Sequence, residues 1–284
     1  MLHRPIDRPA DPGETVGSVA VYAINLDRAL ERWRAFERNF SNLPWPLVRI
    51  AALDAAGAPE AILAVRHQKL VSPPTGLGWN PARFRMYSLA EEACFCSHLQ
   101  ALSAFLESGR AFGLILEDDA LPQRDVVKDL SLIVGSGVDF DLVKLEGFRH
   151  RGSRLAGGEK RLGEISLVRS FEPSSGSAAY LVSRRGARKL IDNAGSLRIP
   201  YDDYLNSGVL SRCRVLQLSP WLVWQSEADS TLAPLRAPTR YVRRRDPWHY
   251  MLQAGRRGLL RLALWGAAVG RSPRKMFALT RAPW

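Results

Sequence analysis

Residues 112–121, FGLILEDDAL, join an apolar segment to three consecutive carboxylates, Glu117, Asp118 and Asp119. The run FGLIL has the length and composition of a buried strand. In an open α/β sheet, ligands bind beyond the carboxyl ends of the strands, so these acids are predicted to face a cleft and not the core. Neighbouring carboxylates repel one another unless a cation lies among them. The stretch therefore predicts a strand that ends at a cation site.

The segments upstream predict a strand, a helix and a second strand. Residues 18–26, SVAVYAINL, are rich in Val and Ile, which is typical of a buried strand. In residues 27–40, Asp27 is predicted to cap an amphipathic helix whose apolar side holds Leu30, Trp33, Phe36 and Phe40. Residues 46–54, PLVRIAALD, predict the second strand. This order predicts a parallel pair joined by a right-handed crossover.

The segments downstream continue the alternation. Residues 88–109 predict a long helix, and residues 184–195 predict a shorter one. Further strands are predicted at residues 139–147, 164–171 and 177–183. Alternating helices and strands indicate an α/β sheet with helices on both faces.

Charge and composition divide the chain into three regions. We expect a flexible leader at residues 1–17, one main domain at residues 18–239 that carries a loop or lid at residues 55–88, and a basic C-terminal tail at residues 240–284. The net charge is +12, but the tail holds 11 Lys and Arg against one acid. The remaining 29 basic and 27 acidic residues nearly cancel. The net positive charge therefore lies in the tail, and it does not indicate which ligand the main domain binds.

The three cysteines, Cys94, Cys96 and Cys213, form no paired CxxC motifs. This odd count argues against a disulfide framework and against a structural zinc site. The first 17 residues contain acids and prolines and have no continuous apolar core, so they predict no secretory signal. We expect the protein to reside in the cytoplasm.

The acidic triplet suits a hard divalent ion. In a strand-like backbone Glu117 and Asp119 share one face, and Asp118 points to the other. Mg²⁺ and Mn²⁺ bind carboxylate and phosphate oxygens together. We therefore predict that Glu117 and Asp119 are metal ligands and that Asp118 binds a ribose hydroxyl. The alternative interpretation is a solvated acidic turn without a ligand.

Six segments in order resemble glycosyltransferase family 25, the lipooligosaccharide-biosynthesis glycosyltransferases. They are YAINLD (22–27), AALD (51–54), AEEACFCSH (90–98), LILEDDA (114–120), SAAYLVSRRGARKLI (177–191) and IPYDDYL (199–205). The resemblance implies a GT-A-like, Rossmann-type sheet that binds a nucleotide sugar. It also implies inverting transfer of a hexose, commonly galactose, from a UDP-sugar to a saccharide acceptor. A divalent Mn or Mg ion would then neutralise the leaving diphosphate.

Within that resemblance, the first two strands end in side chains suited to the nucleotide. Asn25 and Asp54 are predicted to lie where uracil and ribose bind, although ordinary turn chemistry explains both residues equally well. Arg28 is either a phosphate ligand or part of a solvated helix face with Arg32. His98 is predicted to line the donor pocket, and the alternative is a hydrogen-bonded core histidine. Cys94 lies four residues before it, but no second pair completes a zinc site.

Inverting transfer needs a general base near the acceptor hydroxyl. The candidates are Asp202, Asp203 and Glu227, and Asp202 is preferred because it falls in the segment IPYDDYL that resembles the family motif. The alternative role for Asp202 and Asp203 is to cap the helix that follows. Several family glycines are replaced, by Ala90 and Ala93 for example, which would narrow the pocket or change the donor.

The tail combines arginines with Trp248, Trp265 and Trp284. Its longest apolar stretch has 13 residues and contains Arg261, so it is too short to span a bilayer. We expect the tail to bind an anionic membrane surface from the cytoplasmic side, close to a glycolipid acceptor. A packed terminal helix is the main alternative, and nucleic-acid binding is the least favoured.

Two other functions compete with this one. A degenerate transferase could serve as a basic adaptor for membranes or nucleic acid. A metal-dependent nucleotide hydrolase or nucleotidyltransferase would also place acids at a strand end, but the sequence contains no GxxxxGK[ST] loop.

Overall fold

The fold is given by a computed structural model of the chain. The structure describes residues 18–57, 79–80, 85–86, 89–147, 156–170, 176–195, 199–208 and 210–226. The predicted leader, most of the predicted lid and the whole basic tail lie outside these residues.

An eight-stranded mixed sheet forms the centre of the domain. Its strands in chain order are β1 (Val19–Asn25), β2 (Leu47–Ala51), β5 (Phe112–Glu117), β7 (Leu142–Lys144), β9 (Ala156–Leu162), β10 (Ile165–Ser170), β11 (Ala179–Ser183) and β12 (Val215–Ser219). In space the order is β2-β1-β5-β11-β7-β12-β10-β9. All seven residues of β1 are buried, as expected for a strand near the middle of a sheet that is covered on both faces.

The strands around the acidic triplet have the predicted direction. β1 is parallel to β2 and to β5, which confirms the parallel pair expected from the strand, helix, strand order. β11 inserts between β5 and β7 and runs antiparallel to both. The carboxyl ends of β1, β2 and β5 therefore meet at one edge of the sheet.

Two smaller sheets complete the strands. β6 (Ala120–Pro122), β8 (Glu146–Gly147) and β13 (Val223–Gln225) form a three-stranded sheet in the order β6-β13-β8. β3 (Trp79–Asn80) and β4 (Arg85–Met86) pair antiparallel. The segment predicted as one strand at residues 139–147 is thus two short strands in different sheets, so that prediction was wrong in its extent.

Helices cover both faces of the central sheet, which confirms the predicted α/β class. They are α1 (Leu30–Asn39), α2 (Leu89–Glu107), α3 (Val126–Val134), α4 (Arg184–Asp192) and α5 (Tyr201–Asn206). The first and third pack on one face, through Phe36 and Leu130 for example. The other three share the opposite core, which includes Phe95, Leu190 and Tyr204.

The start of α1 differs from the prediction. The helix begins at Leu30, its N-cap is Ala29, and no side chain caps it. Asp27 instead accepts a hydrogen bond from Arg49 Nη2 at 2.7 Å. Because the helix begins two residues later than expected, Leu30 lies at its first position and is 57% exposed, not on the buried side. Phe36 and Phe40 are buried as predicted.

No disulfide joins Cys94, Cys96 and Cys213. Within the described part of the chain, no helix combines the length and apolarity needed to cross a membrane.

Candidate active site

The carboxyl ends of β1 and β5 bring the acidic triplet beside Asn25. Ile24 pairs with Glu117 in the parallel register, and Asp118 N donates to Ile24 O at 3.1 Å. Asn25, which ends β1, is therefore next to the turn that begins at Asp118. Polar side chains collect here because the apolar strands end together.

Glu117 is held by two side chains, His98 from α2 and Ser177 from the segment that precedes β11. Its Oε1 accepts a hydrogen bond from Ser177 Oγ at 2.6 Å and lies 3.2 Å from His98 Nε2. Burial raises the pKa of Glu117, but the His98 and Ser177 contacts and the charge of Arg32 outweigh it and hold the pKa below its usual value. The Glu117 carboxylate is thus kept ionised.

His98 is buried among aromatic rings. Its Nδ1 lies 3.2 Å from Tyr180 Oη, which lies 3.0 Å from Tyr201 Oη. The imidazole also stacks on the Tyr201 ring with a centroid separation of 4.0 Å. The two interpretations left open by the sequence are therefore compatible, because this buried, hydrogen-bonded histidine also directs Nε2 at the Glu117 carboxylate of the site.

Asp118 is bound from the side of β1 and α1. Its Oδ2 accepts from Asn25 Nδ2 at 2.7 Å, and its Oδ1 forms an ion pair with Arg32. Burial raises the pKa of Asp118, and the Arg32 charge and the Asn25 hydrogen bond oppose that rise. Asn25 is itself oriented by Arg49, whose guanidinium donates to Asn25 Oδ1 at 2.7 and 3.0 Å.

Asp119 is the least satisfied carboxylate of the triplet. Its Oδ2 accepts from Gln225 Nε2 at 2.9 Å and lies 3.6 Å from Arg32 Nη2. Among the described residues its buried Oδ1 has no hydrogen-bond partner. Burial and then the charge of Glu117 raise the pKa of Asp119 to about 7. The buried oxygen and the raised pKa both indicate a place where a cation would be stabilised.

The sequence predicted that the three acidic side chains would point alternately to opposite faces of the strand, but this alternation stops after Glu117. The strand stops there and the chain turns, so Asp118 and Asp119 both approach Arg32 and do not point to opposite faces. The alternative that placed Arg32 with Arg28 on a solvated helix face does not hold for Arg32, because its guanidinium contacts both of these carboxylates. Sequence spacing within α1 could not show which charged residue faces the sheet edge.

Asp54 lies apart from this hydrogen-bond network. β2 ends at Ala51, earlier than predicted, and Asp54 directly precedes the turn at residues 55–57. Its Oδ2 accepts from Arg28 Nε at 2.7 Å, and its Oδ1 accepts from Ala56 N at 3.0 Å. The Arg28 hydrogen bond is the main reason that the pKa of Asp54 is lowered. This position agrees with both roles that the sequence left open for Asp54, namely turn chemistry and binding at the edge of a nucleotide site.

A buried Lys144–Glu146 pair supports the site, and the sequence interpretation missed it. Lys144 Nζ lies 3.7 Å from Glu146 Oε1 and donates to Gly176 O at 2.7 Å. Glu146 Oε1 accepts from Ala178 N at 2.7 Å. Burial raises the pKa of Glu146 to about 8, opposed by Lys144. The pair fixes the segment on either side of Ser177, the residue that donates to Glu117.

Gly176 is required by this arrangement. It has a φ of +109°, and a Cβ there would lie 2.7 Å from Glu146 Oε1. The signal for the pair was present in the sequence VKLEG, where two charges at i and i+2 interrupt an apolar run.

α5 carries two of the three candidate bases. Its N-cap is Pro200 and no side chain caps it, so Asp202 and Asp203 lie in its first turn and do not occupy the N-cap position. Tyr201, which precedes them, stacks on His98, so the start of α5 is adjacent to the site. The charge of Asp202 also acts on Lys144. Glu227 lies outside the described residues.

Three of the solved structures that resemble this chain are distant likenesses. A197 from STIV has a TM-score of 0.39 at 12% identity, with 72% of this chain and 83% of that chain covered. A protein from Desulfovibrio desulfuricans G20, assigned as a nucleotide-diphospho-sugar transferase, has a TM-score of 0.37 at 11% identity, with 83% and 97% covered. A UDP-glucose pyrophosphorylase variant from Leishmania major, in complex with UDP-glucose, has a TM-score of 0.31 at 12% identity, with 69% and 56% covered. Similarity this low carries no argument about chemistry.

No curated protein sequence matches the chain as a relative. The sequence model of glycosyltransferase family 25, described as an LPS biosynthesis protein, matches residues 19–205. This match covers more than half of the chain and runs from β1 through the acidic triplet and most of α5. The chain therefore belongs to glycosyltransferase family 25.

Proposed function

We propose that the protein transfers a hexose, galactose, from a UDP-sugar to a lipooligosaccharide or similar glycan with inversion of configuration. Membership of the family supports glycosyl transfer. Metal dependence is supported by one observation above all: Asp119 Oδ1 is buried beside two further carboxylates and has no partner among the described residues.

The residues present fit a hard divalent ion. Glu117 and Asp119 would hold it, because both offer carboxylate oxygens and Gln225 already orients Asp119. An ion bound there would neutralise the charge that develops on the leaving diphosphate. Arg32 lies between Asp118 and Asp119, so the chain supplies a second positive charge to the same region.

The nucleotide is proposed to bind across the ends of β1 and β2. Asp118 is held by Asn25, which leaves its carboxylate positioned to accept a hydrogen bond from a ribose hydroxyl. Asp54 is a second acceptor at the same edge, and His98 would line the donor pocket behind Glu117.

Asp202 is proposed as the general base. Its carboxylate, in the first turn of α5, would take the proton of the acceptor hydroxyl while that oxygen attacks the sugar carbon. The position of α5 beside His98 supports this role. Asp203 and Glu227 are the alternative bases.

The reaction itself tests the proposal. Purified protein is incubated with an α-linked UDP-galactose and a truncated lipooligosaccharide, and the product linkage is assigned by NMR. We expect a β-galactoside, and we expect EDTA to abolish turnover until Mn²⁺ is restored. UDP-glucose and UDP-N-acetylglucosamine serve as comparison donors. An α-linked product, or turnover unaffected by EDTA, would contradict the proposed mechanism.

Metal affinity is expected to depend on pH. Because the pKa of Asp119 is about 7, an ion must displace its proton at lower pH. We expect the affinity for Mn²⁺ to fall by up to about tenfold per pH unit from pH 7 to pH 5 and to level off above pH 8. Titration calorimetry with Mn²⁺ alone measures this dependence. Affinity that is constant across the range would show that Asp119 is not a ligand.

The basic tail is proposed to hold the protein on anionic membrane, at the cytoplasmic face where a glycolipid acceptor would be reached. Eleven basic residues in residues 240–284 would each contribute on the order of 1 kcal/mol near such a surface. Deleting residues 240–284 should release the protein from vesicles that contain phosphatidylglycerol and should spare UDP-sugar hydrolysis. Sedimentation with vesicles measures release, and a truncated chain that still sediments would refute the anchor.

A further inference from the structure

Cys94, His98 and Glu117 form a cluster of three different potential metal ligands. One ligand atom from each, the Cys94 sulfur, a His98 ring nitrogen and a Glu117 carboxylate oxygen, lies within 4.8 Å of the other two. Cys94 and His98 are one turn apart on α2, and this spacing places both on one side of the helix. Glu117 completes the cluster from the end of β5.

The donor set differs from that of the proposed Mg²⁺ or Mn²⁺ site. A thiolate, an imidazole and a carboxylate suit a borderline-soft ion such as Zn²⁺, and three protein ligands leave the open fourth position typical of non-structural zinc sites. The all-oxygen donors Glu117 and Asp119 suit harder ions. The two ions would therefore prefer different sets of residues around a shared Glu117.

The surroundings already orient two of the three ligands. His98 Nδ1 lies 3.2 Å from Tyr180 Oη and Nε2 lies 3.2 Å from Glu117 Oε1. A bound ion would displace the proton that Nε2 shares with Glu117, while Nδ1–H donates to Tyr180 Oη. Stacking on Tyr201 at 4.0 Å fixes the plane of the imidazole. Ser177 Oγ donates to Glu117 at 2.6 Å and fixes its carboxylate. Outer hydrogen bonds of this kind are what metal-binding histidines and carboxylates normally have.

We propose that Cys94, His98 and Glu117 bind a Zn²⁺-class ion at a site distinct from the harder-ion site at Asp119. The sequence alone argued against zinc because no second Cys or His pair follows. The third ligand comes instead from the strand end, which is distant in sequence and adjacent in the fold.

Cobalt substitution tests this site directly. Co²⁺ bound to a thiolate gives a charge-transfer absorption in the near-ultraviolet, so titration of the full-length protein with Co²⁺ should produce that band. Cys94→Ser should abolish the band. Cys96→Ser, a matched change two residues along the same helix, should keep it. Tyr180→Phe should weaken Co²⁺ binding by about 10-fold to 100-fold. A wild-type protein without the band, or a band that survives Cys94→Ser, would overturn the proposal.

A second pair of measurements separates this site from the proposed donor site. Asp119→Asn should lose Mn²⁺-dependent UDP binding and keep the cobalt band. Cys94→Ser should keep Mn²⁺-dependent UDP binding and lose the cobalt band. If Asp119→Asn loses the band, the two sites are one and the proposal is overturned. If wild type shows the band but binds no UDP with Mn²⁺, the proposed function fails and the soft-metal site stands.

Sharing of Glu117 has a consequence that rests on the proposed function. One equivalent of Zn²⁺ should weaken Mn²⁺-dependent UDP binding by about tenfold or more, because two dications would compete for one carboxylate. Cys94→Ser should remove this inhibition. UDP binding that is unchanged by zinc would refute the sharing of Glu117.

Discussion

Asp119→Asn should weaken Mn²⁺-dependent binding of UDP by at least about 100-fold, which corresponds to about 2.7 kcal/mol. The substitution keeps the shape of the side chain and the acceptor for Gln225 Nε2, but it removes the charge that a divalent ion would contact. Titration calorimetry of UDP in the presence of Mn²⁺ measures the loss. Asp125→Asn is a matched control, since Asp125 is exposed and an asparagine still caps α3. If Asp119→Asn binds UDP as wild type does, Asp119 is not part of a metal site.

The same substitution should stabilise the metal-free protein at pH 8. The pKa of Asp119 is raised from 3.8 to about 7, so the folded state holds the proton more tightly than the unfolded state does. Stability is therefore lost as the pH rises from about 4 to about 7. Asparagine avoids that loss, and we expect a gain of about 1–4 kcal/mol in the free energy of unfolding at pH 8. The gain should shrink toward pH 4, which urea unfolding at both pH values measures. A variant less stable than wild type at pH 8 would show that Arg32 already compensates the Asp119 charge.

Asp202→Asn should lower kcat by about 100-fold to 10,000-fold and leave the affinity for UDP with Mn²⁺ within about twofold. The reason is that a general base acts on the acceptor hydroxyl and not on the nucleotide. Steady-state kinetics with saturating acceptor and calorimetry with UDP separate the two effects.

Asp203→Asn is the matched control, because Asp203 lies in the same first turn of α5. We expect it to retain most activity. A loss of UDP binding in Asp202→Asn would assign Asp202 to the nucleotide, and a loss of kcat confined to Asp203→Asn would exchange the two roles.

The sequence predicted those parts of the fold that are set by local patterns. β1 and β5 are continuous apolar runs, and the long helix α2 lies between them in the sequence, so their type and order were evident. The start of α1 was not evident from the sequence, because Asp27 does not cap the helix and instead forms an ion pair with Arg49 on β2. Sequence spacing alone cannot show whether an aspartate caps its own helix or instead forms an ion pair with a residue elsewhere in the fold.

The candidate site was also predicted only in part, because some of its contacts follow from local sequence patterns and others depend on the tertiary fold. Asn25 ends β1 and the acidic triplet begins at the last residue of β5, so their meeting at one edge of the sheet follows from the parallel pairing of these two strands. The contact between His98 and Glu117 depends on how α2 lies across the sheet, which no local pattern specifies. Lys144 and Glu146 were not predicted as part of the site. Charged residues are rarely buried unless they are paired, and the sequence does not show that these two pair in the interior.

Binding of UDP to the full-length protein, measured by titration calorimetry with and without Mn²⁺, tests the metal-dependent transferase most directly. We predict one UDP site that is saturable with Mn²⁺ and at least about 100-fold weaker after EDTA treatment. Equal binding with and without the ion would contradict the role given to Glu117 and Asp119. No UDP binding under either condition would favour a degenerate transferase that serves as an adaptor.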